Sequence, residues 1–182
     1  MSVGVVADPE YLFAETNDFK TMFLREVAGC GPLAESLSEA TLEGAVRGLR
    51  RLAYRNQQVA GNGWVMVGNS AAFLDPIYSS GLFLAMGSAE LAATCIHDAL
   101  SAGDVSGEKL GAFTTPLWSG IEVIRRLIHA FYDPTFSFRK FVERFPDQRA
   151  ALIDCLVGDV VEKDMSPFLE ALAQMTPPPN PL

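Results

Sequence analysis

The richest run of chemically useful residues in this chain is Gly63 to Gly81, GWVMVGNSAAFLDPIYSSG. It offers an acceptor carbonyl in Asn69, a carboxylate in Asp75, hydroxyls in Ser79 and Ser80, and glycines at positions 68 and 81, where backbone can approach a flat ligand closely. The elements that must hold these groups are legible around them. Trp64 to Gly68 reads as a compact apolar strand, and Gly61-Asn62-Gly63 before it as a turn. Ser79 or Ser80 then opens a long helix to about Leu100, which Ala102-Gly103 terminates. A helix N-terminus carries free N–H groups and roughly half a positive charge. It therefore suits an anion or an electron-rich carbonyl. Ser79 and Ser80 can cap the helix or donate to a bound group. An ordinary strand–loop–helix crossover with a capped helix uses the same residues, so their pattern alone leaves both readings open.

The rest of the chain divides into a mixed first part and a helical second part. Ser2 to Ala7, SVGVVA, reads as a buried strand stopped by Asp8-Pro9. A chain that begins directly in a core-like strand lacks the neighbours such a strand needs, which suggests truncation. Asn17-Asp18 caps a helix to about Ala28, with Phe19, Met22, Phe23, Glu26 and Val27 at helical spacing. Gly29 to Pro32 ends it, and Leu33 to Leu37 makes one more short turn. Ala45 to Tyr54 and Asn56 to Ala60 are weakly patterned strands. Gly107 to Phe131 is mostly helical, with Pro116 at a break or a first-turn position, and Phe131 to Pro134 is a turn. Short helices follow over Phe136–Arg144, Pro146–Val157 and Ser166–Gln174, before an extended, disordered proline-rich tail. The expected class is α+β, mostly helical. The expected parts are residues 1–103, a helical region 104–176 and the tail 177–182.

Bulk properties narrow the function classes. A net charge of −8 and a pI near 4.7 argue against a nucleic-acid binder. The local clusters Arg47, Arg50, Arg51, Arg55 and Arg139, Lys140, Arg144, Arg149 read as solvated faces. Cys30, Cys95 and Cys155 share no metal-ligand spacing, and an odd count without a secretory signal suggests free thiols in a reducing cytoplasm. No run is long and apolar enough to span a membrane. A hydrophobic fraction of 49% supports a sizeable core, or apolar surface meant to face a partner or a missing domain. His97 and His129 read as structural or surface residues, and Glu90 and Asp98 have no companion ligands for a metal site. Phe131, Phe136, Phe138, Phe141 and Phe145 read as packing between short helices. No GxGxxG follows a strand, since Gly61-Asn62-Gly63 precedes one instead.

The stretch Phe73-Leu74-Asp75-Pro76-Ile77-Tyr78-Ser79-Ser80-Gly81-Leu82 resembles the second FAD-contact motif of flavoprotein monooxygenases, and more closely that of flavin-dependent halogenases, typically F-I-D-P-x-F-S-S-G-V. The Ser2–Asp8 run, Tyr54-Arg55, Phe131 to Phe136 and Leu156 to Val160 also look like counterparts in that branch, so the resemblance covers nearly the whole chain. It implies the C-terminal part of an FAD-dependent, halogenase-type oxidoreductase. The strands would then belong to an incomplete FAD-binding domain, Rossmann-like and of the glutathione-reductase type, followed by an all-helical region. The implied cofactor-contacting residues are Gly68, Asn69, Asp75, Pro76, Ser79, Ser80, Gly81 and Leu82, with Ser80 and Gly81 also near a halide. The family's usual Gly-Asp pair is Gly68-Asn69 here, and Ser70 stands where alanine is usual. An asparagine keeps an acceptor but loses the charge, a change worth on the order of 1 kcal/mol. The family's GxGxxG, its lysine and its W-x-W-x-I-P segment belong upstream, and none is in this sequence. The resemblance therefore implies weak or absent FAD binding and no activity in isolation. The implied partners are flavin, a separate flavin reductase or a complementary N-terminal half, with no nucleic acid and no membrane span. A fragment of a flavin monooxygenase or geranylgeranyl-reductase-like enzyme, and a non-catalytic helical interaction domain, are the alternative readings.

Overall fold

The computed structural model describes residues 1–50, 52–76, 80–161 and 163–180. The chain separates into two compact units, Met1–Arg50 and Arg51–Leu182.

The first unit contains three short helices, α1 (Pro9–Leu12), α2 (Phe19–Gly29) and α3 (Gly31–Ser36). Asp18 caps α2: its carboxylate accepts the Thr21 amide and hydroxyl, satisfying a donor that the first helical turn leaves free. These two bonds, with Lys20 nearby, hold the Asp18 carboxyl below its usual range. Phe13 and Phe19 meet edge-to-face at 5.7 Å, and Arg25 ties α2 back to the Leu12 carbonyl at 3.1 Å. The expected strand over residues 2–7 is absent: these residues have no strand conformation and are mostly exposed. A β-branched run is no strand without a neighbouring edge to take its N–H and C=O groups. The weak strand expected over residues 45–54 shrinks for the same reason to a two-residue pairing at its end.

In the second unit all pairing is short and antiparallel among the described residues. Strands β1 (Tyr54–Arg55) and β4 (Ala72–Phe73) pair Tyr54 with Phe73. Strands β2 (Ala60–Gly61) and β3 (Trp64–Val65) form a hairpin around the expected glycine-asparagine-glycine turn. The strand expected over Trp64–Gly68 stops at Val65, because a 3₁₀ turn takes over at Gly68–Ser70.

Helices make up the rest: α4 (Gly81–Ala102), α5 (Gly107–Leu110), α6 (Thr114–Tyr132), α7 (Phe138–Arg144), α8 (Arg149–Val157) and α9 (Ser166–Ala173). Helix α6 is the core helix, burying Leu117, Ile121, Ile124, Leu127 and Ile128 along one side. Their three- and four-residue spacing is that of an amphipathic helix. Pro116 lies in its first turn, where no intrahelical amide bond is lost. Around α6 pack Phe113, Phe141, Phe168 and Leu172, each 2% exposed or less, and Phe141 meets Phe168 edge-to-face at 5.5 Å. The phenylalanine run over residues 131–145 does pack the short helices, through contacts such as Phe136–Phe138 at 5.3 Å and Phe141–Phe145 at 5.4 Å.

The basic clusters are bound into local contacts at several points. Arg55 lies 4.0 Å over the Trp118 ring, Arg144 lies over Phe145, and Arg139 pairs with Glu143. Arg51 falls outside the described residues. Arg125, paired with Glu122 on α6, also donates to the Asn180 carbonyl at 2.6 Å. Among the described residues no helix is long and apolar enough to cross a membrane, and no group of three or more His, Cys, Asp or Glu could hold a metal ion.

Candidate functional site

The implied contact residues lie on two neighbouring pieces of backbone: the 3₁₀ turn at Gly68–Ser70 and the start of α4. Gly68 has φ +56, and a Cβ there would stand 3.0 Å from the Ala85 Cβ on α4. Only glycine gives that turn both its left-handed backbone and its close approach to the helix. The turn is fastened on every side. The Gly68 N–H donates to Ser88 Oγ at 2.9 Å. The Tyr54 hydroxyl donates to the Asn69 carbonyl, and the Asn56 amide donates to the Ser70 carbonyl. Ser70 Oγ accepts the Val67 N–H and donates to the Val67 carbonyl.

This fastening sets Asn69 against the helix start. A Cβ built on Gly81 would find as its nearest neighbour Asn69 Oδ1, 3.8 Å away. The side-chain carbonyl of Asn69 therefore lies beside the N-terminus of α4. Asn69 itself is exposed. Gly81, Leu82 and Phe83, in the first turn of the helix, have no intrahelical acceptor for their amides. Ser80 is the N-cap, but its side chain makes no capping bond. It is 7% exposed, and its Oγ finds no hydrogen-bond partner among the described residues. An unsatisfied buried hydroxyl at a helix N-terminus suits an acceptor-rich ligand. Leu82 is 69% exposed and Met86 63%, so an apolar strip continues along α4 from this point.

Asp75 and Pro76 lie at the other end of the segment that leads into α4. Pro76 is exposed. Asp75 Oδ2 accepts the Tyr132 hydroxyl at 2.8 Å. Partial burial, with the Asp75 carboxylate adding to it, pushes the Tyr132 phenol up to about 12. Ser79, an implied contact, falls outside the described residues, as do Ile77 and Tyr78. Of the implied residues the structure thus brings Gly68, Asn69, Ser80, Gly81 and Leu82 to one region, while Asp75 joins it to the end of α6.

Four residues of this region escape a linear reading: Tyr54, Asn56, Ser88 and Tyr132. For Ser88 a signal existed, since Leu84, Ser88 and Ala92 recur every four residues and so share the buried stripe of α4. For Tyr132 the signal was only its place in Phe131–Phe136.

Fold and sequence both have relatives. No protein-family profile matches the chain. It is 27% identical over 159 residues to a 1H-pyrrole-2-carbonyl-[peptidyl-carrier protein] chlorinase of Pseudomonas fluorescens, covering 87% of this chain and 35% of that protein. It is 39% identical over 109 residues to a tryptophan 2-halogenase of Chondromyces crocatus, covering 58% of this chain and 20% of that protein. Among solved structures it is similar to the flavin-dependent brominase Bmp2, with a TM-score of 0.68 at 23% identity over 91% of this chain and 42% of that one. It is similar as well to a flavoprotein/dehydrogenase from Cytophaga hutchinsonii, with a TM-score of 0.67 at 26% identity over 90% of this chain and 40% of that one. A flavin-dependent halogenase-like family fits the chain. The chain spans about a third or less of the length of these two curated relatives and about two-fifths of the two solved structures.

Proposed function

We propose that this chain supplies the isoalloxazine and ribityl side of an FAD site in a halogenase-like oxidoreductase. The observation that carries the reading is the closeness of Asn69 Oδ1 to the start of α4 at Gly81, next to the buried Ser80 hydroxyl that has no hydrogen-bond partner among the described residues. The residues present fit the group. Asn69 accepts from ribityl hydroxyls, the first-turn amides of α4 and their dipole favour negative charge on the ring, and Gly81 leaves room for a flat face. The flavin, when bound, supplies the redox chemistry. The chain's own part is to bind the ring, orient it and, through Ser80 and Gly81, hold a halide. Asp75 and Pro76 shape the approach to the helix, and Ser79 belongs to the same contact set. In this reading residues 1–103 belong to a Rossmann-like FAD-binding part, residues 104–176 form the helical region and 177–182 the tail. A complementary half provides the nucleotide side, and a separate reductase delivers reduced flavin.

With no glycine fingerprint for the pyrophosphate, FAD gains little over riboflavin, and both bind weakly. Amide NMR titrations of the whole chain test this. The expected result is dissociation constants within about threefold of each other, with shifts confined to residues 68–70 and 80–84. Tight stoichiometric FAD binding overturns the half-site reading. An unchanged spectrum at the solubility limit of riboflavin overturns the flavin reading altogether.

The likeness to a flavoprotein/dehydrogenase, nearly equal in TM-score to the brominase, favours a second reading: the same flavin wall in an oxidoreductase that does not halogenate. Halide titration separates the two. Bromide-dependent shifts at Ser80 and Gly81 support the halogenase reading, and their absence supports the other.

A further inference from the structure

Ser88 lies two turns beyond Gly81 on the buried stripe of α4 and is 1% exposed. Its hydroxyl donates to the Ala85 carbonyl at 3.0 Å, the local bond that a helical serine commonly makes. Its oxygen also accepts the Gly68 N–H at 2.9 Å, an amide from a different element, 20 residues earlier in the chain. Helix α4 therefore does two things at once. It presents its N-terminus at Gly81, and two turns later it grips the turn that carries Asn69. The approach is close, with the Gly68 backbone pressed against Ala85. Asn69 follows Gly68 directly, its backbone carbonyl held by Tyr54 and its side-chain carbonyl beside Gly81.

We propose that Ser88 is a positioning residue: by accepting the Gly68 amide it fixes Asn69 Oδ1 in register with the Gly81 helix start, so that one flavin meets both. The inference rests on the flavin reading above. A hydrophobic replacement leaves the Gly68 donor facing an apolar helix side, and the 68–70 turn must shift to find another acceptor. The helix start, held by its own ladder from Leu84 to Ser80, does not shift with it. The two halves of the contact then fall out of register without loss of either.

The test uses the whole chain, FMN as the probe, and Ser88→Ala beside Ser88→Thr. Threonine keeps the hydroxyl but adds a methyl group in a packed position, so it reports the packing cost alone. In the unaltered chain the Gly68 amide is protected from hydrogen exchange. Ser88→Ala removes that protection, moves the Asn69 side-chain amide resonances and raises the FMN dissociation constant about three- to tenfold, the range of one ordinary hydrogen bond. Ser88→Thr melts at a lower temperature but binds FMN as the unaltered chain does. Equal FMN affinity in Ser88→Ala and the unaltered chain overturns the proposal, and so does equal weakening in both variants. An unprotected Gly68 amide in the unaltered chain overturns it without any variant. A protected Gly68 in a chain that FMN does not perturb overturns the flavin reading, and the positioning role with it.

Discussion

The Tyr132 hydroxyl donates to Asp75 Oδ2 across 2.8 Å, joining the last residue of α6 to the turn after β4, 57 residues away. The core helix thereby holds the upstream end of the segment that leads into α4. Tyr132→Phe removes only the hydroxyl. The expected cost is about 0.5–1 kcal/mol, at the lower end for a hydrogen bond because Tyr132 is half-exposed. The same variant alters the alkaline limb. Tyr132 has its folded-state pKa raised from 10.0 to about 12, so its contribution is complete below pH 10 and is lost as pH rises from 10 to 12. Denaturant melts across that window lose part of their downward slope in Tyr132→Phe. An unchanged slope contradicts the link.

Asn69→Asp places a carboxylate where the resemblance leads one to expect it. The charge converts an ordinary acceptor into a charge-assisted one and lies beside the positive end of α4. Riboflavin affinity is expected to rise by about fivefold, equivalent to roughly 1 kcal/mol. Parallel titrations of the two proteins check it, and equal or weaker binding by Asn69→Asp excludes Asn69 as a flavin contact.

Gly158 ends α8 with φ +80, and a Cβ there would stand 2.6 Å from the Phe83 Cβ. Gly103 ends α4 with φ +66 and meets nothing within 4 Å. Alanine at 103 therefore costs about 1 kcal/mol for the left-handed backbone alone. Alanine at 158 adds displacement of Phe83 and costs about 2–4 kcal/mol. Paired chemical melts give the difference, and equal losses contradict the close approach.

The three thiols are expected to react in order of exposure. Cys30 is exposed, Cys95 partly buried and Cys155 buried. Burial pushes the Cys155 thiol from 9.0 up to about 12, so it holds almost no thiolate at neutral pH. Its stability contribution is present below pH 9 and is lost as pH rises from 9 to 12. Iodoacetamide labelling read site by site by mass spectrometry finds Cys30 first and Cys155 only on unfolding. Early labelling of Cys155 in the folded chain contradicts its burial.

Elements built from local signals were legible in the sequence. Asp18 announces α2, Pro116 fits the first turn of α6, and Gly61-Asn62-Gly63 announces the β2–β3 turn. Pairing was not legible, because it is a relation between distant segments. Residues 2–7 have the composition of a strand but join no edge among the described residues, whereas Tyr54 pairs with Phe73 although neither flank reads strongly as strand. The same division holds in the candidate site. The Asp75 to Gly81 motif could be found by composition and order. The bonds that arrange it, Ser88 to Gly68 and Tyr132 to Asp75, join residues 20 and 57 apart and leave no local mark.

The stacking of Arg55 on Trp118 has an optical consequence. An indole under a guanidinium has a perturbed emission, and Trp118 packs on the core while Trp64 lies at the hairpin surface. The two tryptophans therefore report on different parts of the second unit. Oxidised flavin absorbs where indole emits, so both act as energy donors to a bound ring. In the proposed flavin reading, occupancy of the α4 helix start is followed in the unlabelled chain by quenching of its own fluorescence.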